Sequence, residues 1–300
     1  MIIARLIGGL GNQMFQYATA KHLSIINNTN LLVDLSGFDK TIYTKNATWR
    51  GFQLTIFKMK VAIATQEDIQ AVKNSAPDFF EKLKYRLMRL KTIPYYRKNE
   101  IYESGLFHFD KNILKAGRNT YLVGYWQSPH YFNAIRKKLL EDFQIRELPS
   151  EKDYPFLNEL SHKNAVSIHI RRGDYISNPE YLKNHGLCPV EYYQQAIEYI
   201  CSKTAKPVFY FFSDDMEWVK KNLNINHPAV YVGGTPEGKD HYEMYLMSLC
   251  KHNIIANSSF SWWGAWLNTN PEKIVVAPKQ WMGDAGIDTT DLIPKNWVRI

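Results

Sequence analysis

The sequence predicts an α/β protein built from two Rossmann-like halves, and three observations support that class. Short apolar runs in the second half, such as "AVSIHI" and "PVFYFF", are typical of buried parallel strands. Helix-like segments lie between these runs, and strands that alternate with helices indicate a doubly wound sheet. The chain also opens with a strand, a glycine-rich turn and a helix, which is how a second unit of the same kind begins.

The elements of the first half follow from their apolar patterns. The predicted strands are "IIARL", "NLLVDL" and "TYLVGYW", and the predicted helices are "QMFQYATAKHLSII", "TQEDIQAVKN", "DFFEKLKYRLMRLK" and "HYFNAIRKKLLEDF". The polar stretch "QIRELPSEKDYP" then indicates a linker. We therefore expect one α/β domain at residues 1–150 and another at residues 151–300.

The second half alternates more regularly. The predicted strands are "AVSIHI", "PVFYFF", "AVYV", "NIIA" and "IVVA", and the predicted helices are "VEYYQQAIEYICSK", "MEWVKKNL", "HYEMYLMSLCKH" and "SFSWWGAWLN". Trp262, Trp263 and Trp266 have helical spacing in the last of these, which favours a place in the core. Two α/β halves joined by a linker predict two domains that face a cleft.

The basic character of the chain limits its partners. The 300 residues carry a formal net charge of +8 and the sequence pI is about 9.1, which favours an acidic ligand or surface. The basic residues are dispersed and match no nucleic-acid motif, so we expect no nucleic-acid partner. Residues 82–98 form a basic stretch that could lie on an anionic membrane, although a solvated basic helix face is the favoured interpretation.

The cysteines and the apolar segments are typical of a cytoplasmic protein. Cys188, Cys201 and Cys250 have no paired spacing, so we interpret them as reduced thiols and expect neither a disulfide framework nor a zinc site. The first apolar run is too short for a signal peptide, and no run is long enough to span a bilayer. Peripheral contact with the inner face of the cell membrane would depend on the basic stretch.

The first candidate site is the glycine turn in "GGLGNQMFQYA". Gly11 lets the backbone approach a phosphate or sugar, and the helix that begins with Asn12 and Gln13 favours anions; a plain turn in which these residues cap the helix is the alternative. A dinucleotide fingerprint would need a small residue in place of Met14. Asp34 ends the second strand where a ribose-binding acid would stand, so a nicotinamide-dependent oxidoreductase also stays open.

The second candidate site is "SIHIRRGDY", at the end of a strand. Alternation places His169 and Arg171 on one face, and Arg172 and Asp174 follow in the turn. Ligands of parallel α/β sheets bind beyond the carboxyl ends of strands, and two adjacent guanidinium groups suit a pyrophosphate. An Arg–Asp surface pair that caps the strand is the equally favoured alternative.

Two further strand ends carry polar residues. Asp214 in "FFSDD" can accept paired N–H donors, such as those of a guanine edge, or can simply cap the next helix. Hydroxyl and backbone N–H groups in "NSSFSWW" can bind an anion at a helix start, or can serve ordinary capping; the residues concerned are Ser258, Ser259 and Ser261. No Asp-x-Asp triplet or metal-spaced cluster is present, so we expect no metal.

These motifs, in this order, resemble the bacterial α-1,2-fucosyltransferases of glycosyltransferase family 11. The matching segments are "GGLGNQMFQYA", "HIRRGDY", "FFSDD" and "NSSFSWWGAWL", and "GYWQSPHYF" resembles the mid-chain segment of the family. The resemblance extends from the first strand to about residue 280. The His-x-Arg-Arg-x-Asp pattern is shared with α-1,6- and protein O-fucosyltransferases. The assignment of the α-1,2 linkage therefore depends on the N-terminal glycine motif and the Trp-rich serine motif.

The resemblance implies a glycosyltransferase-B fold, with an acceptor-binding domain at residues 1–150 and a GDP-fucose-binding domain at residues 151–300. It implies no metal and no other cofactor. From the resemblance we take Arg171 and Asp174 as the catalytic residues. Arg171 would bind the β-phosphate, and Arg172 and Asp174 would brace the loop through their own pair. The implied donor-binding residues are Gly11, Asn12, Gln13, His169, Arg171, Arg172, Asp214, Ser258, Ser259 and Ser261.

The implied reaction moves L-fucose from GDP-β-L-fucose to the 2-hydroxyl of a terminal galactose in a glycan, with inversion. A fucosyltransferase of another linkage is the alternative within this class. The sequence identifies no general base for the acceptor hydroxyl. We expect Trp126 and Tyr131 to bind the acceptor through their ring faces, although for either ring alone a place in the core is the safer interpretation.

Overall fold

A computed structural model of the protein describes residues 1–42, 50–76, 83, 99–233, 235 and 238–300, without the side chains of Ile42, Asp174 and Ser177. The predicted helix "DFFEKLKYRLMRLK" and the basic stretch at residues 82–98 lie outside this part of the chain, except for single positions.

The chain divides into two compact units. Unit 1 comprises Met1–Gln144 and Asp288–Leu292, and unit 2 comprises Ile145–Ile287 and Ile293–Ile300. The division therefore falls after Gln144 rather than after residue 150. The return of a short C-terminal segment to unit 1 has no local signal in the sequence, because it depends on contacts with residues far along the chain.

Unit 1 contains a five-stranded sheet in the order β3-β2-β1-β5-β4, and every pairing between its neighbouring strands is parallel. Its elements are β1 (Ile2–Arg5), α1 (Leu10–Ile26), β2 (Leu31–Asp34), β3 (Ala62–Ile63), α2 (Gln66–Lys73), β4 (Glu100–Tyr102), β5 (Thr120–Val123) and α3 (Arg136–Asp142). Short 3₁₀ turns lie at Ser36–Phe38, Lys40–Ile42, Leu54–Ile56, Ile113–Lys115, Pro129–Tyr131 and Asn133–Ile135.

Most predicted elements of unit 1 are confirmed, and the differences have local causes. The sequence did not indicate β3 and β4, because runs of two and three residues are too short to show a period. The predicted helix "HYFNAIRKKLLEDF" is wrong in its first half, where Pro129 opens a 3₁₀ turn and α3 begins only at Arg136.

Unit 2 contains a six-stranded sheet in the order β11-β10-β9-β6-β7-β8, again with parallel pairings. Its strands are β6 (Ala165–Ile170), β7 (Val208–Ser213), β8 (Ala229–Val232), β9 (His252–Ile254), β10 (Val275–Ala277) and β11 (Val298–Arg299). Its helices are α4 (Glu159–His162), α5 (Gly173–Ser177), α6 (Pro179–His185), α7 (Val190–Lys203), α8 (Met216–Asn222), α9 (His241–Leu249) and α10 (Ser259–Leu267).

The core of unit 2 lies around its central strand. All six residues of β6 are buried, including the polar Ser167 and His169. The apolar face of β6 packs on α7, and Trp262, Trp263 and Trp266 of α10 are buried as predicted. Two parallel sheets with helices confirm the predicted α/β class.

Candidate functional site

Three neighbouring strands of unit 2 bring their polar turns to one edge of the sheet. β6 lies between β9 and β7, and Ile170 at the end of β6 pairs in register with Ser213 at the end of β7. Arg171 and Asp214 each follow directly. Because all three strands are parallel, the turn at Ser258 after β9 points from the same edge. The predicted adjacency of the three motifs is therefore present.

The arginine turn is organised by Asp214. Its Oδ2 lies 3.0 Å from Nη1 of Arg171, and its Oδ1 accepts the backbone N–H of Arg172 at 2.9 Å. A Cβ atom on Gly173 would lie only 2.9 Å from Asp214 Oδ2, so glycine allows this close approach. Both carboxylate oxygens of Asp214 thus have partners, and the Arg171 side chain keeps 25% of its surface exposed.

Arg172 braces this turn from its other side. Its Nε lies 3.3 Å from Asp215 Oδ2, and its guanidinium lies 3.7 Å from the centre of the Trp218 ring. Asp215 also caps α8 by accepting the N–H of Trp218. The expected bracing role of Arg172 therefore has Asp215 and Trp218 as partners, and the side chain of Asp174, the expected partner, lies outside the described part.

His169 is a buried polar residue at the same edge. It is 4% exposed, its ring centre lies 5.8 Å from that of Phe260, and among the described residues its Nδ1 has no hydrogen-bond partner. Burial, together with the charge of Arg171, lowers its pKa from 6.5 to about 4. Because buried polar atoms are normally satisfied, a neutral imidazole here is suited to a hydrogen bond with a ligand.

The depressed pKa of His169 predicts a loss of stability at acidic pH. The unfolded chain takes up the proton below about pH 6.5, and the folded chain does so only near pH 4, so the free energy of unfolding falls as pH decreases across this window. His169→Asn removes the titration. We expect the melting temperature of the wild type, relative to this variant, to decrease between pH 7 and pH 5 in circular dichroism scans. The exposed His130→Asn is the control, and a constant difference would contradict the assignment.

The serine turn before α10 divides its three predicted residues between two roles. Ser258 caps the helix by accepting the N–H of Phe260 at 3.3 Å, and Ser259 is half-buried in the first turn. Ser261 is fully buried, and its hydroxyl is placed to donate to the carbonyls of Ala256 and Ser258, both at 3.2 Å. Ser261 therefore holds the turn in this structure, and the expectation of a phosphate contact from its hydroxyl is corrected.

Glu243 is a buried acid of unit 2 that sequence reasoning did not single out. Thr235 donates its hydroxyl to Glu243 Oε1 at 2.8 Å, and Tyr154 donates to Thr235 at 3.1 Å. Burial raises the pKa of Glu243 to about 7; the hydrogen bond from Thr235 opposes this shift, the charges of Asp240 and Asp214 add to it, and the charge of Arg171 opposes it. Glu243 therefore interacts electrostatically with Asp214 and Arg171 of the arginine turn. The only local signal was an acid in the first turn of the otherwise apolar helix α9.

The side-chain amide of Gln13 holds the glycine turn of unit 1 through hydrogen bonds. Gln13 is fully buried, its Nε2 donates to the carbonyls of Gly8 and Gly51, both at 2.9 Å, and its Oε1 accepts the N–H of Gln53. The Gln13 side chain is therefore used inside unit 1, and the expected approach of Gln13 to the donor stays a prediction. Gly11 and Asn12 lie in the first turn of α1; Asn12 is half-buried there.

Asp34 does not have the surroundings of a ribose-binding acid. It is 4% exposed and accepts hydrogen bonds from the N–H and hydroxyl of Ser36, both at 2.8 Å, and from Tyr121 at 2.5 Å. Both carboxylate oxygens are used inside unit 1. The interpretation of Asp34 as a nicotinamide-ribose ligand is therefore wrong.

The two rings expected to bind the acceptor are core rings. Trp126 and Tyr131 are each 1% exposed and pack edge to face with centres 5.7 Å apart. The Tyr131 hydroxyl also donates to the carbonyl of His108 at 3.1 Å. Neither ring presents a free face, so the structure corrects the expected stacking role, and the half-buried Tyr125 is the remaining ring in "GYW".

Two further properties concern only the described residues. In that part of the chain, no three His, Cys, Asp or Glu side chains are grouped so that they could hold a metal ion. None of the described helices combines the length and the apolar composition needed to cross a membrane.

Comparison of the sequence with known proteins finds a matching family. The sequence model described as Glycosyl transferase family 11 matches residues 1–300. An alpha-1,2-colitosyltransferase of Escherichia coli is 36% identical over 311 residues, covering 100% of this chain and 99% of that protein. The galactoside 2-alpha-L-fucosyltransferase SEC1 of Bos taurus is 29% identical over 157 residues, covering 50% of this chain and 43% of that protein.

Among solved structures, the fucosyltransferase NodZ from Bradyrhizobium aligns with a TM-score of 0.48 at 12% identity, covering 88% of this chain and 91% of that one.

Proposed function

This chain belongs to glycosyl transferase family 11, and on that premise we propose that it moves L-fucose from GDP-β-L-fucose to the 2-hydroxyl of a terminal galactose, with inversion. The observation that carries the proposal is the convergence of Arg171, His169 and the serine turn at one edge of the unit 2 sheet. A nucleoside diphosphate can be bound by these three groups, which are a cation, a neutral hydrogen-bonding group and a helix start.

Arg171 is the group suited to the departing diphosphate. Its planar guanidinium can donate two parallel hydrogen bonds to phosphate oxygens, and Asp214 holds it in a fixed orientation before the ligand arrives. Positive charge placed in advance where negative charge develops is a large contribution to catalysis. We therefore propose that Arg171, together with the N–H groups of the serine turn, stabilises the leaving GDP without a metal ion.

Glu243 is the carboxylate that we propose for the guanine edge. Asp214 was the expected acceptor, but its two oxygens already serve the arginine turn. Among the described residues, Thr235 donates to Oε1 of Glu243, and the second oxygen has the capacity to accept from a ligand. His169 would contact the nucleoside from the neighbouring strand end.

The reaction itself needs no covalent enzyme intermediate. A single displacement inverts the anomeric centre, so the protein has to hold the two substrates, stabilise the leaving group and accept a proton from the acceptor hydroxyl. We place the acceptor on unit 1, as the family likeness implies. Stabilisation of the leaving group is the step for which this chain offers the clearest residues.

The test is product analysis with the purified protein. We expect incubation with GDP-β-L-fucose and lactose or N-acetyllactosamine to give fucose α-1,2-linked to galactose, assigned by NMR. The same reaction after dialysis against EDTA should proceed at the same rate. Fucose attached to glucose or N-acetylglucosamine would refute the linkage, and activity restored only by magnesium or manganese would refute metal independence.

A second candidate is the transfer of colitose, because the Escherichia coli colitosyltransferase matches the whole chain whereas the bovine fucosyltransferase matches half of it. Colitose is L-fucose without its 3-hydroxyl. A site that hydrogen-bonds this hydroxyl rejects the deoxy sugar strongly, and a site without such a contact accepts both. The ratio of kcat/KM for the two GDP sugars, measured in competition, decides between the candidates.

A further inference from the structure

We infer that Glu103 is a positioning residue that, through a strained turn at Trp126 and the amide of Gln127, orients Asn12 at the start of α1 towards the substrates. The inference rests on the proposed function, because it assigns Asn12 to the sugar-transfer site. All four residues belong to unit 1.

Glu103 binds the turn that follows β5 with both of its oxygens. Its Oε2 accepts the N–H of Tyr125 at 2.6 Å, and its Oε1 accepts the N–H of Trp126 at 2.9 Å. A Cβ atom on Gly124 would lie 2.4 Å from Glu103 Cβ, so glycine is needed for this approach. Burial raises the pKa of Glu103, while the two backbone N–H groups favour the carboxylate.

The turn that Glu103 holds is strained. Trp126 has φ of +57°, in the left-handed region that bulky side chains rarely adopt. Such a conformation persists only where the surroundings impose it, and these outliers are concentrated at functional sites. Here the carboxylate of Glu103 and the buried indole ring impose it. Gln16 also binds the carbonyl of Gly124, at 3.1 Å.

The strained turn delivers Gln127 to the glycine motif. Nε2 of Gln127 donates to Oδ1 of Asn12 at 2.7 Å. Asn12 also packs over Gly8, which has φ of +75°, since its Nδ2 lies 2.6 Å from the position of a Cβ atom there. Because its carbonyl oxygen accepts from Gln127, the amide of Asn12 is oriented with its N–H groups available as donors to a ligand. The chain of contacts therefore fixes which way the Asn12 amide faces.

The chemical class recognised by Asn12 follows from this orientation. An N–H donor at the start of a long helix suits an oxygen acceptor with a lone pair, as in a sugar hydroxyl. If Glu103 only stabilised the fold, a relaxed backbone at Trp126 would serve as well. The link to Asn12 explains why the strained form is retained.

The test compares Glu103→Gln, Gln127→Ala and the double variant. A glutamine can accept only one of the two backbone N–H groups, so the turn should relax and release Asn12. We expect each single variant to lower kcat/KM about tenfold, the loss of about one hydrogen bond, and the double variant to lose no more than either single one. The Kd for GDP should stay within about twofold, because we place the GDP contacts in unit 2.

The matched control is Asp142→Asn, which alters another buried carboxylate of unit 1, one that accepts the Tyr17 hydroxyl at 3.0 Å. It should lower the melting temperature without lowering kcat/KM. A second readout uses selective ¹⁵N labelling, in which the side-chain amide resonances of Asn12 and Gln127 should shift in Glu103→Gln.

The outcomes separate this inference from the proposed function. Wild-type protein that transfers no sugar refutes the proposed function, and the amide resonances then still decide about Glu103. If the wild-type protein transfers sugar, unchanged amide resonances or an unchanged kcat/KM in Glu103→Gln would refute the positioning role alone. Additive losses of kcat/KM in the double variant would refute it as well.

Discussion

Arg171→Ala is expected to lower kcat by about a hundredfold or more, because it removes a charge that is oriented in advance towards the leaving diphosphate. The fold should survive. The Arg171–Asp214 pair is partly exposed, and such pairs contribute about 1 kcal/mol or less to stability. Asp214 also keeps its hydrogen bond from the backbone N–H of Arg172.

Arg171→Lys should recover little of this activity. A lysine ammonium is a point charge that cannot form two parallel hydrogen bonds with a phosphate in the plane of a guanidinium. The pair of variants therefore distinguishes a need for geometry from a need for charge alone. Recovery of most of the activity by lysine would show that charge is sufficient.

The measurement is GDP release in the presence of acceptor, with far-ultraviolet circular dichroism to verify the fold. Arg146→Ala is a suitable control, because Arg146 is an exposed arginine of unit 2. Turnover close to that of the wild type in Arg171→Ala would remove Arg171 from the role at the leaving group. Equal losses in Arg146→Ala would indicate a general effect of charge.

Glu243→Gln is expected to weaken GDP binding about a hundredfold at pH 8. The second carboxylate oxygen of Glu243 can accept an N–H group of the guanine edge, and a hydrogen bond to a charged group contributes about 1.5–3 kcal/mol. An amide retains one acceptor and no charge. The preference for GDP over IDP, which lacks the 2-amino group, should shrink in the variant for the same reason.

The raised pKa of Glu243 adds a dependence on pH. Since its pKa is raised from 4.5 to about 7, the folded protein keeps the proton that the unfolded chain loses, and the stability this contributes is lost as pH rises through about 7. GDP binding that uses the carboxylate should strengthen between pH 6 and pH 8. In Glu243→Gln the Kd should vary less over this range.

Isothermal titration calorimetry at pH 6, 7 and 8 measures these affinities. The exposed Glu180→Gln serves as a control in the same unit. A wild-type Kd for GDP in Glu243→Gln at pH 8 would contradict the assignment, and would return the guanine edge to the original expectation, Asp214.

Much of the fold was predictable because its signals are local. The runs "AVSIHI" and "PVFYFF" are strands β6 and β7, and the α7 helix covers the predicted stretch "VEYYQQAIEYICSK". Apolar periodicity reports which face of each element is buried, and this holds wherever the element packs. Strands β3 and β11 were missed because two residues show no period.

The candidate site was predictable in its position more than in its contacts. Parallel strands bring their carboxyl ends together, so polar residues after β6, β7 and β9 had to meet at one edge. The sequence could not show that Asp214 has both oxygens occupied or that Gln13 and Ser261 are used internally. Each of these contacts depends on where the neighbouring backbone groups lie.

The sequence by itself therefore determined the α/β class, the family and the strand end at which Arg171 stands. Only the tertiary structure decided which polar atoms remain available for a ligand. Hydrogen-bonding groups have few partners each, and the partners of Glu103 and Glu243 come from other segments of the chain. Periodicity reflects the burial of a whole face, whereas the availability of one atom depends on three-dimensional neighbours that no local pattern encodes.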